Sequence, residues 1–177
     1  MANELIDEKK SIFKKKKFTK DDLITIMNFT AGTVFYQNPR TQQEWKMVGF
    51  GETEQIAFDE LITMKSSQPK LLKEPYIIVM DDDAVEQLSL KDTYKKILRP
   101  DEIDKFYNKM SFAQMEKFID NATESMRELL VNLTLERIRN KEFDSLAKVQ
   151  LIESKLNKKL LDWGVSINDH TIWKLIF

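Results

Sequence analysis

The only run of three consecutive carboxylates in the sequence is Asp81-Asp82-Asp83. A hard cation such as Ca²⁺ is bound by several oxygens of this kind. A calcium-binding loop needs glycine at its sixth position, but counting from Asp81 that position is Glu86, and consecutive side chains point apart. We therefore predict no metal site here. The run is better interpreted as a helix start in which Asp83 and Glu86 form a capping box.

Residue types suited to catalysis or cofactor binding are scarce. His170 is the single histidine and there is no cysteine, which excludes histidine-based metal clusters and thiolate chemistry and leaves little for a Ser-His triad. The two glycine-rich motifs that bind phosphate groups, GxxxxGK[ST] and GxGxxG, do not occur in the sequence. The fragment from Gly49 to Glu52 is too short to count as one, and Glu52 would repel phosphate. We predict a non-enzymatic protein without a cofactor.

A run of lysines close to the N-terminus, Lys14–Lys17, could contact phosphate or an acidic protein surface. Acidic residues dilute the charge of this arm, and no arginine or aromatic side chain interleaves the run as nucleic-acid sites prefer. Nucleic acid is therefore the less favoured partner, and docking on a neighbouring protein is the alternative. The candidate contacts in this arm are its apolar side chains and its lysines: Leu5, Ile6, Ile12, Phe13, Lys14, Lys15, Lys16 and Lys17.

The segment from His170 to Phe177 is strongly apolar. Such a segment is stable only when it is covered, either by its own chain or by another subunit. Pairing in extended form with the sheet edge of a neighbour is the mode that we expect, and completion of the chain's own core remains open. Its candidate contacts are Ile172, Trp173, Leu175, Ile176 and Phe177.

Bulk composition is typical of a globular protein: of 177 residues, 42% are hydrophobic and 32% charged, with a net charge of −1. That balance gives no global attraction to nucleic acid or anionic lipid. No apolar run reaches the length of about 18 residues that a membrane span needs. The first residues are acidic, unlike a signal peptide, and we expect a chain made in a cytoplasm.

The first half of the chain predicts short antiparallel strands. Four segments rich in β-branched and aromatic residues, 23–30, 33–37, 44–48 and 54–58, are separated by turns, and Gly49 and Gly51 allow positive φ at the third turn. We expect a meander that curls into a small sandwich or barrel. Its predicted core is Ile24, Ile26, Val34, Tyr36, Trp45, Ile56 and Phe58, or the set on the opposite face if the register differs by one residue.

The remainder predicts one helix at 59–65, a buried strand at 76–80, and then helices only. The pairs Ser111/Gln114 and Asn121/Glu124 have capping-box spacing, and apolar residues recur at helical spacing from Phe143 to Trp163. The fold class is α+β, with sheet and helices segregated along the chain. The predicted organisation is a lysine-rich arm (1–19), a β-rich module (20–81), a helical region (82–164) and an apolar tail (165–177).

The strand block resembles a family of small structural or assembly proteins of tailed bacteriophages. The resemblance covers about residues 20–160. It is carried by Asn28-Phe29-Thr30-x-Gly32-x-Val34-x-Tyr36, Gly51-Glu52, Ile56-x-Phe58-x-Glu60-Leu61, Ile77-Ile78-Val79-x-Asp81 and Asp144-x-x-x-Lys148-x-x-x-Ile152. Both ends of the chain depart from the family pattern, and no catalytic residue carries over.

The resemblance implies a virion component of the capsid or tail, or a virus assembly protein. Such a protein would bind copies of itself or other virion proteins through its terminal arms and would be located in the virion. The alternative is an intracellular phage protein that binds and redirects a host enzyme. A nucleic-acid-binding protein that uses the lysine run is the third hypothesis.

Overall fold

The computed structural model describes residues 16–143 and 145–160. It confirms the α+β class: antiparallel strands come first and a helical region follows. The strands are β1 (Leu23–Asn28), β2 (Thr33–Gln37), β3 (Glu44–Val48), β4 (Thr53–Ala57) and β5 (Ile77–Val79). The helices are α1 (Phe58–Ser67), α2 (Lys70–Lys73), α3 (Asp82–Gln87), α4 (Lys91–Tyr94), α5 (Pro100–Asn108), α6 (Phe112–Asn121), α7 (Glu124–Arg139) and α8 (Leu146–Leu156).

The strands form two small antiparallel sheets, one with the order β4-β1-β5 and the other made of β2 and β3. The expected meander is wrong in its pairing, because β1 pairs with β4 and β5 rather than with β2. The turn at Gly49 and Gly51, with φ of 83° and 87°, carries the chain from one sheet to the other. There the Gly51 amide donates to the Asn28 carbonyl (2.9 Å) and the Asn28 amide donates to Glu52 (2.8 Å), which places β4 beside β1.

All seven predicted core residues are buried, which confirms the register of the strands. They belong to a first core between the two sheets and helices α1 to α3. A second core lies among the later helices and includes Phe29 and Ile78 from the first half of the chain. The strand β5 joins the two cores, because Ile77 and Val79 belong to the first and Ile78 to the second.

Two helix caps lie two residues from the predicted ones. The N-cap of α3 is Asp81, not Asp83: its Oδ1 accepts hydrogen bonds from the amides of Asp83 (2.9 Å) and Ala84 (3.1 Å). The N-cap of α7 is Thr123, not Asn121, because Asn121 still belongs to the end of α6. Several adjacent residues there can serve as caps, and the spacing alone does not select among them.

Other helix boundaries agree with the sequence or end early. The capping box of Ser111 and Gln114 is present at the start of α6. The last helix was expected to reach Trp163, but α8 ends at Leu156, where Asn157 adopts a left-handed conformation with φ of 51°. Asparagine tolerates this conformation better than other non-glycine residues, so it stops the helix. Among residues 16–143 and 145–160, no helix has the length and apolar character needed to cross a membrane.

Candidate functional site

The outer edge of β2 is the starting point of the candidate site. At the two ends of the β2–β3 ladder, the Gly49 amide donates to the Gly32 carbonyl (3.1 Å) and the Asn38 amide donates to the Gln43 carbonyl (2.9 Å). These two bonds show which residue pairs of the ladder are hydrogen-bonded. Because bonded and non-bonded pairs alternate in an antiparallel ladder, Val34 and Tyr36 bond to β3. The peptide groups of Thr33, Phe35 and Gln37 therefore point away from β3, towards the open side.

At the outer edge of β5, a side chain covers one of the two residues whose peptide groups point outward. The hydroxyl of Tyr94 accepts a hydrogen bond from the Val79 amide and donates one to the Val79 carbonyl (3.2 Å). Burial raises the pKa of Tyr94, so the hydroxyl stays neutral and can serve as donor and acceptor at once. A free strand edge invites pairing with another chain, and this contact removes that opportunity at Val79.

On β4, on β3 and at the end of β2, a side chain forms a hydrogen bond with one outward peptide group. On β4 the carbonyl of Gln55 accepts from the indole of Trp45 (3.4 Å), and on β3 the amide of Val48 donates to the Glu52 carboxylate. At the far end of β2, the carbonyl of Gln37 accepts from the side chain of Gln68 (3.4 Å). Within the described ranges, no backbone or side-chain group bonds to the outward peptide groups of Thr33 and Phe35.

A cleft of about 390 Å³ lies beside this open stretch. One wall is formed by residues 30–35, which are the loop before β2 and the first part of β2 itself. The opposite wall brings together α2, the segment before β5 and the first turns of α7. Its lining side chains are Leu71, Tyr76, Ser125, Glu128, Leu129 and Asn132.

The cleft combines an apolar floor with a polar, acidic rim. Leu129 and Ser125 are buried, whereas Glu128 and Asn132 are exposed. Burial raises the pKa of Tyr76, and the negative charges of Glu128 and other nearby glutamates raise it further. Phe35, on the outer face of β2, is 48% exposed and adds an apolar side chain at the cleft. This arrangement suits an extended peptide with an apolar face.

Asn28 holds the start of β2 in place. Its side chain is fully buried, and Nδ2 donates to the carbonyls of Gly32 (2.7 Å) and Met47 (3.1 Å). Its Oδ1 accepts from the amide and the hydroxyl of Thr30, both at 2.9 Å. Because Gly32 immediately precedes β2 and Met47 lies in β3, one amide ties the end of β1 to both strands of the second sheet.

Most of the contact residues predicted from the sequence lie outside the described residues. This holds for Leu5, Ile6, Ile12, Phe13, Lys14, Lys15, Ile172, Trp173, Leu175, Ile176 and Phe177. Of the remaining two, Lys17 is exposed. Lys16 lies against α3: its amide donates to Asp83 Oδ2 (2.8 Å) and its carbonyl accepts from Gln87 (2.7 Å). The described end of the arm is thus attached to the chain's own body.

The aspartate run is used for local structure. Asp81 caps α3, Asp82 forms an ion pair with Arg99, and Asp83 accepts the Lys16 amide. The three carboxylates therefore point to different partners. Among the residues that the structure describes, no group of three potential ligands is arranged to hold a metal ion.

Sequence reasoning missed both Asn28 and the cleft as parts of a site. The detectable signal for Asn28 was a polar residue at the end of a β-branched run, between Met27 and Phe29. The cleft has no local signal, because its walls come from segments some 100 residues apart. Comparison with known proteins adds no further assignment: no family model, curated protein or solved structure matches the chain.

Proposed function

We propose that this chain is a non-enzymatic virion structural or assembly protein of a tailed bacteriophage that acts through protein–protein contacts. The observation that supports the proposal is the open edge at Thr33 and Phe35 beside an apolar cleft. The phage assignment itself rests on the resemblance of the strand block described above.

The physical argument is that edges with unpaired peptide groups attract further strands. Native proteins commonly cover such edges, as Tyr94 does at β5 in this chain. The uncovered stretch of β2 lies where the cleft can receive the side chains of an added strand. Addition of a strand gains affinity from main-chain hydrogen bonds and specificity from pockets for alternate side chains.

The polar groups that line the cleft suit recognition. They are hydroxyls, an amide and the exposed Glu128 carboxylate, which can orient a bound peptide through hydrogen bonds. We propose that binding, rather than turnover of a substrate, is the activity of this site. Its partners are other virion proteins or further copies of the chain.

Two measurements test the proposal. Size-exclusion chromatography with light scattering on the full chain should show assemblies larger than its 20.9 kDa mass. Mass spectrometry of purified particles of the encoding phage should detect the chain among the virion proteins. Presence in infected cells together with absence from particles would contradict the virion assignment and favour the binding of a host enzyme. Strictly monomeric behaviour at all concentrations would contradict self-association.

A further inference from the structure

We propose that the open edge of β2 receives the segment Thr171–Phe177 of a second copy of this chain. This inference rests on the proposed function and names the partner of the same site. The added segment pairs with the peptide groups of Thr33 and Phe35, which offer two donors and two acceptors. Alternate side chains of the segment enter the cleft.

The alternation of the segment fits such a strand. In an extended chain, successive side chains point to opposite faces, so Trp173, Leu175 and Phe177 share one face. A strand beside β2 continues the faces of β2. Val34 and Leu129 both line the cleft, so we place the three large apolar side chains on the side of Val34. There they would meet the apolar lining of the cleft.

The described chain ends in the core that also contains Leu129 of the cleft. Lys155, in the last turn of α8, binds Glu116 (2.7 Å) and Asp120 (3.0 Å) at the end of α6. The carbonyl of Asp120 accepts from Arg127 (2.9 Å), on the face of α7 opposite the one that lines the cleft. Leu160, the last described residue, is buried in the same core as Leu129 of the cleft.

The ten residues between Leu160 and the proposed strand are long enough for the segment of one copy to extend to a neighbouring copy. Residues 161–170 separate Leu160 from the segment, and ten extended residues span at most about 33–36 Å. Two copies side by side can each insert the segment into the edge of the other. Such an exchange is self-complementary and closes the assembly with twofold symmetry.

Cysteine cross-linking tests the contact directly, because the natural chain has no cysteine and every cross-link is assignable. Full-length Thr33→Cys and Lys174→Cys proteins are mixed and treated with a short thiol-reactive cross-linker. Neighbouring strands lie about 4.7–4.9 Å apart, within reach of such a reagent. We expect a product of twice the chain mass containing one chain of each kind. The control mixture, Glu44→Cys with Lys174→Cys, places the thiol at an exposed position on β3 and should give little product.

A chain carrying both Thr33→Cys and Lys174→Cys separates the two possible origins of the segment. An intramolecular product in this double variant, with no product in the mixture of single variants, would overturn the proposal in favour of docking within one chain. Cross-linking equal to that of the Glu44→Cys control would overturn the assignment of the β2 edge.

A proline variant tests the hydrogen bonds. Thr33→Pro removes an outward amide at the first residue of β2, where proline is compatible with a strand and no β2–β3 bond is lost. We expect association at least about tenfold weaker than in the natural chain. Glu44→Pro is the matched control, because Glu44 is the exposed first residue of β3 and its amide also points outward. Equal association of both variants and the natural chain would refute the inference yet leave the proposed function standing. A natural chain that never associates would refute the proposed function itself.

Discussion

Replacement of Asn28 by aspartate removes a buried hydrogen-bond donor while keeping the shape of the side chain. In the natural chain Nδ2 donates to the carbonyls of Gly32 and Met47, and the residue has no exposed surface. An ionised carboxylate in this place would face two carbonyl oxygens without a proton between them. We therefore expect the variant to unfold more easily and to lose the position of β2.

The size of the effect follows from the alternatives open to the new carboxyl. Ionised and buried, it would keep the two hydrogen bonds from Thr30 but would place its second oxygen against two carbonyl oxygens without a counter-charge, at a cost of about 3–5 kcal/mol. It can instead take up a proton, which at pH 7 costs about 4 kcal/mol for a group with an ordinary pKa of about 3.9. A protonated carboxyl donates only one hydrogen bond, so about 1 kcal/mol is lost in addition. The expected loss in the free energy of unfolding at pH 7 is thus about 4–5 kcal/mol.

The pH dependence distinguishes this explanation from simple loss of packing. The pKa of the new carboxyl is raised in the folded chain, so the unfolded state releases its proton first as pH rises. The difference in stability from the natural chain should then grow by about 1.4 kcal/mol per pH unit above pH 4. Below pH 4 it should shrink to about 1 kcal/mol, the cost of the missing hydrogen bond.

Urea denaturation of both proteins between pH 4 and pH 7, followed by circular dichroism, measures this difference. Asn121→Asp is the matched control, because Asn121 is exposed and its side chain donates a single hydrogen bond to Lys117 (2.7 Å). The control should change stability by less than about 1 kcal/mol. A loss for Asn28→Asp that does not vary with pH, or that equals the loss of the control, would refute the reasoning.

Three further substitutions test individual contacts, each by denaturation of the variant. The buried hydroxyl of Tyr36 has at most a weak contact with Ser67, so Tyr36→Phe should change the free energy of unfolding by less than about 1 kcal/mol. Tyr107→Phe should lower it by about 1 kcal/mol, since that hydroxyl bonds to Thr134 at 2.9 Å. Burial also raises the pKa of Tyr107 to about 12, so the natural chain should lose stability as pH rises from about 10 to 12, where the unfolded state releases this proton first. Tyr107→Phe should remove up to about 1.4 kcal/mol per pH unit of that slope, and an unchanged slope would contradict the assignment. Asp81→Ala should cost about 1 kcal/mol through loss of the α3 cap, whereas no change would mean that another residue caps the helix.

Local pattern predicted the elements and the core of this fold. The alternation of apolar residues in β2 and β3 placed Val34, Tyr36 and Trp45 inside, and all three are buried. The continuous apolar run at 76–80 predicted a strand covered on both faces, and β5 contributes to both cores. These properties depend on which face of an element is apolar, and the order of apolar and polar residues along the sequence shows that face directly.

Strand pairing could not be predicted in the same way. A strand has the same alternation whichever neighbour it joins, so the pattern of β1 does not distinguish β2 from β4 as its partner. The choice depends on the buried amide of Asn28 and on the positive φ values of Gly49 and Gly51. The candidate site could not be predicted for a related reason. The walls of the cleft, and likewise the contact of Tyr94 with β5, join segments that are distant in the sequence.

The cleft beside it distinguishes the uncovered stretch of β2, because the outward peptide groups of Lys46 on β3 also have no partner within the described residues. One tyrosine hydroxyl is sufficient to satisfy both outward peptide groups of Val79, and one indole reaches the carbonyl of Gln55. Covering the four outward groups of Thr33 and Phe35 in the same way would need two such hydroxyls. An open edge favours aggregation, which supports the proposal that a specific strand occupies it. The apolar floor of the adjoining cleft favours a strand that has large apolar side chains at every second position. The segment from Thr171 to Phe177 of this chain has that pattern.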